Sequence, residues 1–271
     1  MSTIVISEIG ENHLGNIEIA KKMIRKSKDA GADFAKFQLY DPERTSMDDP
    51  ERDWFFKVAL SRGDVAEVVQ ECREVGIKPL FTCWDTIRAG WCLEEKITEI
   101  KLASFHITDQ KLLNFITNNF KTVFLSTGMS TVDDVKKAVE NLKVEKLYLL
   151  HCVSDYPLKY ENVNLKVMET LRSFSEYIGY SDHTIDITAV LAAVAMGAQV
   201  IEKHFTLSKD LPGTDHVLSA TPEEFAVMVR EIRKIETIMG APNKTLTSSE
   251  SESQAFLRTR FKRRENNMDI L

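Results

Sequence analysis

The chain has 271 residues, 43% of them hydrophobic and 28% charged, which is ordinary for a globular protein with one hydrophobic core. Its net charge of −6 at pH 7 argues against a general nucleic-acid-binding protein, because neutralising phosphates requires a basic surface. A local cationic pocket for a small anion remains compatible with that charge.

Eight short apolar runs recur along the chain, and nearly every one ends in a polar or ionisable residue. A stretch with helical spacing follows each run. The runs are residues 4–8, 34–38, 79–82, 100–104, 123–127, 147–151, 178–183 and 200–204. This alternation predicts a single-domain α/β fold, a (β/α)₈ TIM barrel, whose chemistry lies where the strands end.

The helices between these runs are predicted at residues 17–30, 64–75, 85–93, 110–118, 131–141, 164–174, 185–196 and 222–239. Gly31 is expected to end the first helix, and Thr221 to cap the last one with Pro222 at its first position. The longest connection, residues 40–63, is either a lid over the pocket or a plain surface loop.

We assign residues 1–243 to the barrel and residues 244–271 to a polar tail or connector. A solvated tail is favoured. The alternative is a helix that packs on a partner or leads into something this chain lacks.

The remaining composition favours a cytoplasmic protein. The first ten residues have no basic start and no long apolar run, so we expect no signal peptide. The longest apolar stretch, residues 189–198, is too short to span a membrane. The four cysteines form no CxxC pattern and are expected to be buried thiols.

Two lysines stand inside apolar strands, where a charged side chain is costly unless it is paired. Lys36 and Lys101 are expected to point into the pocket and hold an anion, with hydroxyl groups at the same rim as further donors. These hydroxyls belong to Thr82, Ser104, Ser126, Thr127 and Ser181. The alternative is a pair of inward lysines neutralised by Glu8 and Glu202.

Two histidines end neighbouring strands, His183 after the seventh and His204 after the eighth. Adjacent strand ends lie roughly 5 Å apart, so the two imidazoles can converge on one ion and leave open positions for water and substrate. Hydrogen-bonding or acid/base histidines are the alternative.

Two further polar residues are candidates for the site. Asp215 lies in the loop after the eighth strand and is a sugar-binding residue, a base or a turn aspartate. Asn12 either binds substrate or folds the first turn.

Several motifs, taken together, resemble the sialic acid synthase (N-acetylneuraminate synthase) family. They are SEIGENHLG at 7–15, AGADFAKFQ at 30–38, LSTGM at 125–129, GYSDHT at 179–184, IEKHFT at 201–206 and PGTDH at 212–216. The likeness runs in the right order and spacing over about residues 3–265.

The resemblance implies a barrel enzyme that condenses phosphoenolpyruvate with an N-acylated amino-sugar aldehyde, such as N-acetylmannosamine, and releases phosphate. It implies a divalent metal, Mn²⁺ first and Mg²⁺, Co²⁺ or Zn²⁺ otherwise, on His183 and His204, and a homodimer. It implies phosphoenolpyruvate binding by Lys36, Thr82, Lys101, Ser104, Ser126 and Ser181. It implies sugar-binding or catalytic roles for Glu8, Gln38, Tyr156 and Asp215.

This sequence departs from the family pattern mainly on the sugar side. Phe105 and His106 stand where members usually have glycine and an acid, Ser154 replaces an asparagine, and Leu14 replaces another. The resemblance covers the barrel and not the small antifreeze-like C-terminal domain, whose arginine reaches the partner's sugar pocket in members that have it. We therefore expect that another group or a separate polypeptide takes that arginine's place, or that the protein is less active.

Two other functions remain open at this level. One is a related barrel aldolase or synthase that acts on a different aldose, and the other is a non-catalytic barrel that binds a sugar or a partner enzyme. The five ionisable residues Glu8, Lys36, Lys101, His183 and His204 argue against the non-catalytic barrel.

Overall fold

The computed structural model describes the backbone of residues 2–268 and the side chains of residues 2–260. Eight parallel strands form a closed barrel in sequence order, with β8 pairing back onto β1. The strands are β1 (Ile4–Gly10), β2 (Phe34–Leu39), β3 (Lys78–Cys83), β4 (Glu99–Leu102), β5 (Thr122–Ser126), β6 (Lys146–His151), β7 (Tyr177–Asp182) and β8 (Val200–His204). The predicted (β/α)₈ barrel is confirmed.

The helices of the first part of the chain follow the strands and cover the outside of the barrel. They are α1 (Ile17–Asp29), α2 (Arg52–Val58), α3 (Arg62–Val75), α4 (Thr86–Glu94), α5 (Gln110–Asn119), α6 (Val132–Asn141), α7 (Val167–Leu171), α8 (Thr188–Ala195) and α9 (Pro222–Met239). The main hydrophobic core lies between the helices of the barrel and the sheet. A further helix, α10 (Ser248–Met268), follows α9 in the chain. None of the helices in the described part of the chain is long and apolar enough to cross a bilayer.

Alternation along the strands explains why the polar site lies above an apolar cluster in the barrel interior. Side chains at every second position point into the barrel. A buried apolar cluster that includes Ile6, Phe34, Leu80, Phe124 and Leu150 fills its lower part. One step further along most strands the inward positions become charged or hydroxyl-bearing, so the same alternation builds the site.

The longest predicted connection contains a short helix, α2, that the sequence pattern did not indicate. The following helix, α3, starts at Arg62 and not at residue 64, because Ser61 caps it. The Ser61 side chain accepts from the Asp64 amide, while the Asp64 side chain accepts from the Ser61 amide. This reciprocal pairing satisfies two backbone donors that a helix start otherwise leaves open.

The chain divides into two compact units, Met1–Ile238 and Met239–Leu271. The first contains the barrel. The second contains α10, whose side chains up to residue 260 are almost all exposed. Residues 244–271, predicted as a polar tail or connector, are therefore helical over most of their length.

Candidate active site

A cavity of about 600 Å³ is lined by residues at the carboxyl ends of the strands. Twelve of the thirteen site residues predicted from the sequence line it, and Asn12 is the exception. The twelve are Glu8, Lys36, Gln38, Thr82, Lys101, Ser104, Ser126, Tyr156, Ser181, His183, His204 and Asp215. Residues from all eight βα units thus surround one space, which is where barrel enzymes carry out their chemistry.

A second cavity, of about 430 Å³, lies at the opposite end of the barrel. Its lining comes from strand starts and includes Phe34, Lys78, Phe124 and Tyr148. That end of a barrel ordinarily serves stability, and this cavity contains no histidine. We therefore place the candidate active site at the carboxyl-terminal mouth.

Two lysines and two glutamates form a buried charge network on the cavity floor. Lys36 Nζ lies 2.9 Å from Glu8 Oε2 and 3.5 Å from Glu202 Oε2. Lys101 Nζ donates to both oxygens of Glu202, at 2.8 and 2.9 Å. All four side chains are at most 6% exposed. The ion pairs that the alternative interpretation required are present, and they line the same cavity as the hydroxyl groups.

The network fixes the protonation state of its central carboxylate. Burial by itself favours the neutral acid, but the ammonium groups of Lys101 and Lys36 outweigh it and hold the pKa of Glu202 well below its usual range. Ser181 Oγ donates to the same carboxylate at 2.8 Å. Glu202 is therefore ionised at neutral pH and locks the Lys101 ammonium in place.

One hydroxyl group of the rim contributes a donor that the described part of the protein does not use. Ser126 Oγ is buried and has no hydrogen-bond partner among the described residues. Ser104 Oγ accepts from the amide of Gly128 at 3.0 Å. A Cβ on Gly128 would come within 2.9 Å of that oxygen and 2.6 Å of Ser154 Oγ, so glycine allows the loop to approach this closely.

The two predicted histidines face each other in the cavity, with ring centroids 5.5 Å apart. His183 Nδ1 lies 2.7 Å from the carbonyl oxygen of Val153, which can only accept, so Nδ1 carries the proton and Nε2 keeps its lone pair. Burial, and then the neighbouring His204, lower the pKa of His183 to about 4. The ring is thus neutral at pH 7, the form that binds a metal.

The surroundings of His204 fit a cation bound beside it. Its Nδ1 is buried without a hydrogen-bond partner in the described chain, and it lies 3.4 Å from Asp215 Oδ2. Two imidazoles with oxygen donors nearby suit a divalent first-row ion. Among the described residues, no group of three or more His, Cys, Asp or Glu side chains forms a complete metal cluster. Any ion here would need water or substrate as further ligands.

Asn12, the remaining predicted substrate-binding residue, is buried outside the lining of the cavity. Asn12 Nδ2 donates to the carbonyl of Phe205 at 2.9 Å and to Ser219 Oγ at 3.0 Å. The side chain therefore ties the first βα loop to the segment after β8. Of the two roles considered for Asn12, these contacts favour a structural one.

Of the two substitutions at the end of β4, only one reaches the cavity. Phe105 lines it, and its ring packs edge-on against Trp84 with centroids 5.0 Å apart. His106 lines a neighbouring space of about 400 Å³. The resemblance to sialic acid synthases implies an acidic residue near this position. His106 does not take the place of that residue in the main cavity, because its side chain lines the neighbouring space.

A buried ion pair behind the two histidines was not predicted from the sequence. Lys203 Nζ donates to Asp182 Oδ2 at 2.6 Å, and also to the backbone carbonyls of Thr184 and Asp186. Lys203 and Asp182 are each at most 1% exposed. The pair holds the backbone that follows His183. Alternation was the available signal, because Lys203 lies between two inward residues and must point out of the barrel.

The helix α2 brings a tryptophan against the first βα loop. Trp54 Nε1 donates to Glu11 Oε2 at 2.8 Å. Burial raises the pKa of the Glu11 carboxyl to about 7, although the hydrogen bond from Trp54 acts in the opposite direction. Glu51, the residue that precedes α2, lines the cavity. The long connection therefore contributes a residue to the lining of the cavity.

This raised pKa predicts how stability changes with pH. The folded protein binds a proton at Glu11 between the unfolded pKa of 4.5 and the folded value of about 7, so stability falls as pH rises through that window. Glu11→Gln keeps an acceptor for Trp54 and removes the titration. As the pH rises from 5 to 7, we expect the free energy of unfolding of the variant to increase by about 1 kcal/mol or more relative to that of the unchanged protein.

Urea unfolding at pH 5, 6, 7 and 8 measures this difference. Glu67→Gln, an exposed glutamate on α3, is the matched control and should leave the pH profile unchanged. Parallel profiles for the unchanged protein and Glu11→Gln would contradict the raised pKa.

Comparison with known proteins adds an independent line of support to this geometry. Residues 23–244 match the NeuB family, which is most of the chain. The chain belongs to the NeuB family. The resemblance to sialic acid synthases drawn from the motifs is thereby confirmed.

Named NeuB relatives include synthases with different products. An N,N′-diacetyllegionaminic acid synthase of Campylobacter jejuni is 35% identical, over 94% of this chain and 83% of the relative. The N-acetylneuraminate-9-phosphate synthase of Homo sapiens is 33% identical, over 91% of this chain and 74% of the relative. A crystal structure of an N-acetylneuraminic acid synthetase from Leptospira borgpetersenii, in complex with citrate, superposes with a TM-score of 0.89 at 32% identity, covering 94% of this chain and 91% of that one.

Proposed function

We propose that this NeuB-family chain is a synthase that condenses phosphoenolpyruvate with an N-acylated amino-sugar aldehyde, giving a nonulosonic acid and phosphate. The observation that carries the proposal is the convergence of Lys36, Lys101, His183 and His204 on one cavity. The names of its relatives support the same reaction class. Phosphate release coupled to a new carbon–carbon bond separates this function from aldol cleavage and from simple binding.

Hydrogen-bond donors at the bottom of the cavity can bind the anionic substrate. The ammonium groups of Lys36 and Lys101, with the unpartnered hydroxyl of Ser126, can take up its phosphate and carboxylate oxygens. Because these groups are held by Glu8, Glu202 and the strands beneath them, their positions are set before substrate arrives. This preorganisation supplies the proximity that a two-substrate reaction needs.

Glu8 is positioned for the step in which water enters. In the proposed reaction, C3 of phosphoenolpyruvate attacks the aldehyde carbon, and the positive charge that develops at C2 is captured by water before phosphate leaves. Gln38 Nε2 donates to Glu8 Oε1 at 3.0 Å, so the carboxylate is fixed. Glu8 stabilises the developing charge and orients the water, one proton of which ends on the oxygen of the former aldehyde. The hydroxyl group left on C2 gives its proton to the departing phosphate as the C2–O bond to phosphate breaks and the keto group forms. Tyr156 and Asp215 are proposed to hold the sugar.

A divalent ion held by His183 and His204 would polarise the sugar aldehyde as a Lewis acid. We propose Mn²⁺, with Mg²⁺, Co²⁺ and Zn²⁺ as the alternatives to compare. The charges of the cavity support a cation, since two lysines face the four carboxylates of Glu8, Glu51, Glu202 and Asp215. A trianionic substrate would deepen that negative excess unless a cation accompanied it.

The direct test is a phosphate-release assay with phosphoenolpyruvate, Mn²⁺ and a panel of N-acylated amino-sugar aldehydes, with product mass measured in parallel. We expect release only when a suitable sugar is present. Release without any sugar would indicate a phosphatase, and no release with any sugar would contradict the proposal.

The homodimer expected from the resemblance stays a prediction, as does the cytoplasmic location. One chain has a mass of 30.9 kDa, so light scattering behind size-exclusion chromatography should report about twice that value. A single species at the mass of one chain across the micromolar range would contradict it.

A further inference from the structure

We propose that the acceptor is an uncharged amino-sugar aldehyde whose apolar substituents, such as N-acyl or deoxy methyl groups, lie against Phe105, Met129 and Tyr156, and that phosphorylated amino sugars are poor acceptors. This inference rests on the proposed function and specifies the substrate class. The relatives leave that choice open, because one is named for a diacetylated product and another for a 9-phosphate.

The first observation is an apolar wall at the mouth of the cavity. Phe105, Met129 and Tyr156 all line the cavity and are 50%, 69% and 50% exposed. They come from three different βα loops, and Phe105 is braced against Trp84. Phosphoenolpyruvate offers only a methylene group to such a surface. The acceptor is therefore the substrate that gains free energy by covering it.

The second observation concerns charge. Among the described residues that line the cavity, the cations at neutral pH are Lys36 and Lys101, which are at most 4% exposed and already paired with glutamates. The more exposed charged groups of the lining are Glu51 and Asp215. A sugar phosphate would bring its dianion to a rim that offers two carboxylates and no free cation, and like charges at short range repel.

The third observation is the orientation of the two residues that distinguish the end of β4. Phe105 faces the cavity and His106 faces the neighbouring space. Burial lowers the pKa of His106, so it is neutral at pH 7 and contributes no positive charge either. The position thus presents a hydrophobic ring to the acceptor.

The test compares three acceptors with phosphoenolpyruvate and Mn²⁺ by phosphate release: N-acetylmannosamine, its 6-phosphate, and 2,4-diacetamido-2,4,6-trideoxymannose. Extra apolar groups in a fitting pocket change kcat/KM by roughly 10–200-fold. We expect kcat/KM for the diacetamido sugar to exceed that for N-acetylmannosamine by at least about tenfold. The 6-phosphate should be the poorest of the three.

Variants attribute the preference to the wall. Phe105→Ala and, from a different loop, Met129→Ala should each reduce the ratio of kcat/KM between the diacetamido sugar and N-acetylmannosamine, with KM for phosphoenolpyruvate unchanged. Phe105→Arg should raise kcat/KM for the 6-phosphate. Phe56→Ala, a half-exposed phenylalanine on α2 that does not line the cavity, is the matched control and should leave the ratio unchanged.

The outcomes separate the two proposals. A preference for the 6-phosphate, or a ratio that both wall variants leave unchanged, would overturn this inference while the synthase function stands. No phosphate release with any acceptor would overturn the proposed function and this inference with it.

Discussion

Replacing His183 by alanine is expected to lower kcat for phosphate release by about a thousandfold or more. A Lewis-acidic ion contributes several kcal/mol of transition-state stabilisation, and each 1.36 kcal/mol corresponds to a factor of ten. Because Nδ1 of His183 donates to the carbonyl of Val153, Nε2 keeps a free lone pair that can bind a metal. The variant therefore removes a metal ligand and not only a packing group.

Metal affinity provides a readout that does not depend on turnover. Loss of a group that merely orients a metal-bound histidine costs roughly 10–100-fold in affinity, so loss of the histidine itself should cost more. Calorimetric titration with Mn²⁺ measures this for His183→Ala and His204→Ala. His151→Gln is the control, because His151 binds the Val163 carbonyl away from the cavity. Unchanged Mn²⁺ affinity in both alanine variants would remove the metal from the account.

Replacing Lys101 by methionine is expected to destabilise the protein by about 3–5 kcal/mol, because it leaves part of a buried carboxylate charge uncompensated. Glu202 loses both of its hydrogen bonds from Lys101, and its remaining partners in the described part of the chain are Ser181 and the more distant Lys36. In a chain of this size such a loss lowers Tm by roughly 10 °C. KM for phosphoenolpyruvate should rise as well, since a donor to its oxygens is gone.

Two further variants show whether the effect belongs to the pair. Lys101→Met combined with Glu202→Leu removes both charges and should recover most of the stability without recovering activity. Lys78→Met is the exposed control: it breaks a 2.9 Å ion pair with Glu99 whose lysine is 64% exposed, and should cost less than about 1 kcal/mol. Equal losses from Lys101→Met and Lys78→Met would contradict a buried, structurally coupled network.

The fold and the floor of the site follow from the strand pattern because both depend on the same alternation. Lys36 stands two residues beyond the apolar Phe34, and Lys101 two residues beyond Glu99 at the start of β4, so a parallel barrel sends both lysines into one space. The ion pairs were also foreseeable, since buried lysines require partners and Glu8 and Glu202 were the inward acids.

The upper part of the site was harder to predict, because loops and not strands position it. Met129 and Glu51 enter the cavity through βα loops whose course depends on tertiary contacts. Asn12 stands in a motif that suggests substrate binding, yet its side-chain amide nitrogen donates to Phe205 and Ser219. The ion pair of Lys203 with Asp182 was not predicted, because the neighbouring residues Glu202 and His204 point into the barrel and the motif was interpreted as a whole as part of the cavity.

The most direct test of the account is a crystal structure with Mn²⁺ and phosphoenolpyruvate, in which anomalous scattering locates the metal. We expect one anomalous peak at roughly 2.0–2.3 Å from nitrogen atoms of both His183 and His204. We also expect phosphoenolpyruvate oxygens within hydrogen-bond distance of Lys36 and Lys101. Mn²⁺ bound elsewhere, or phosphoenolpyruvate seated away from both lysines, would contradict the account.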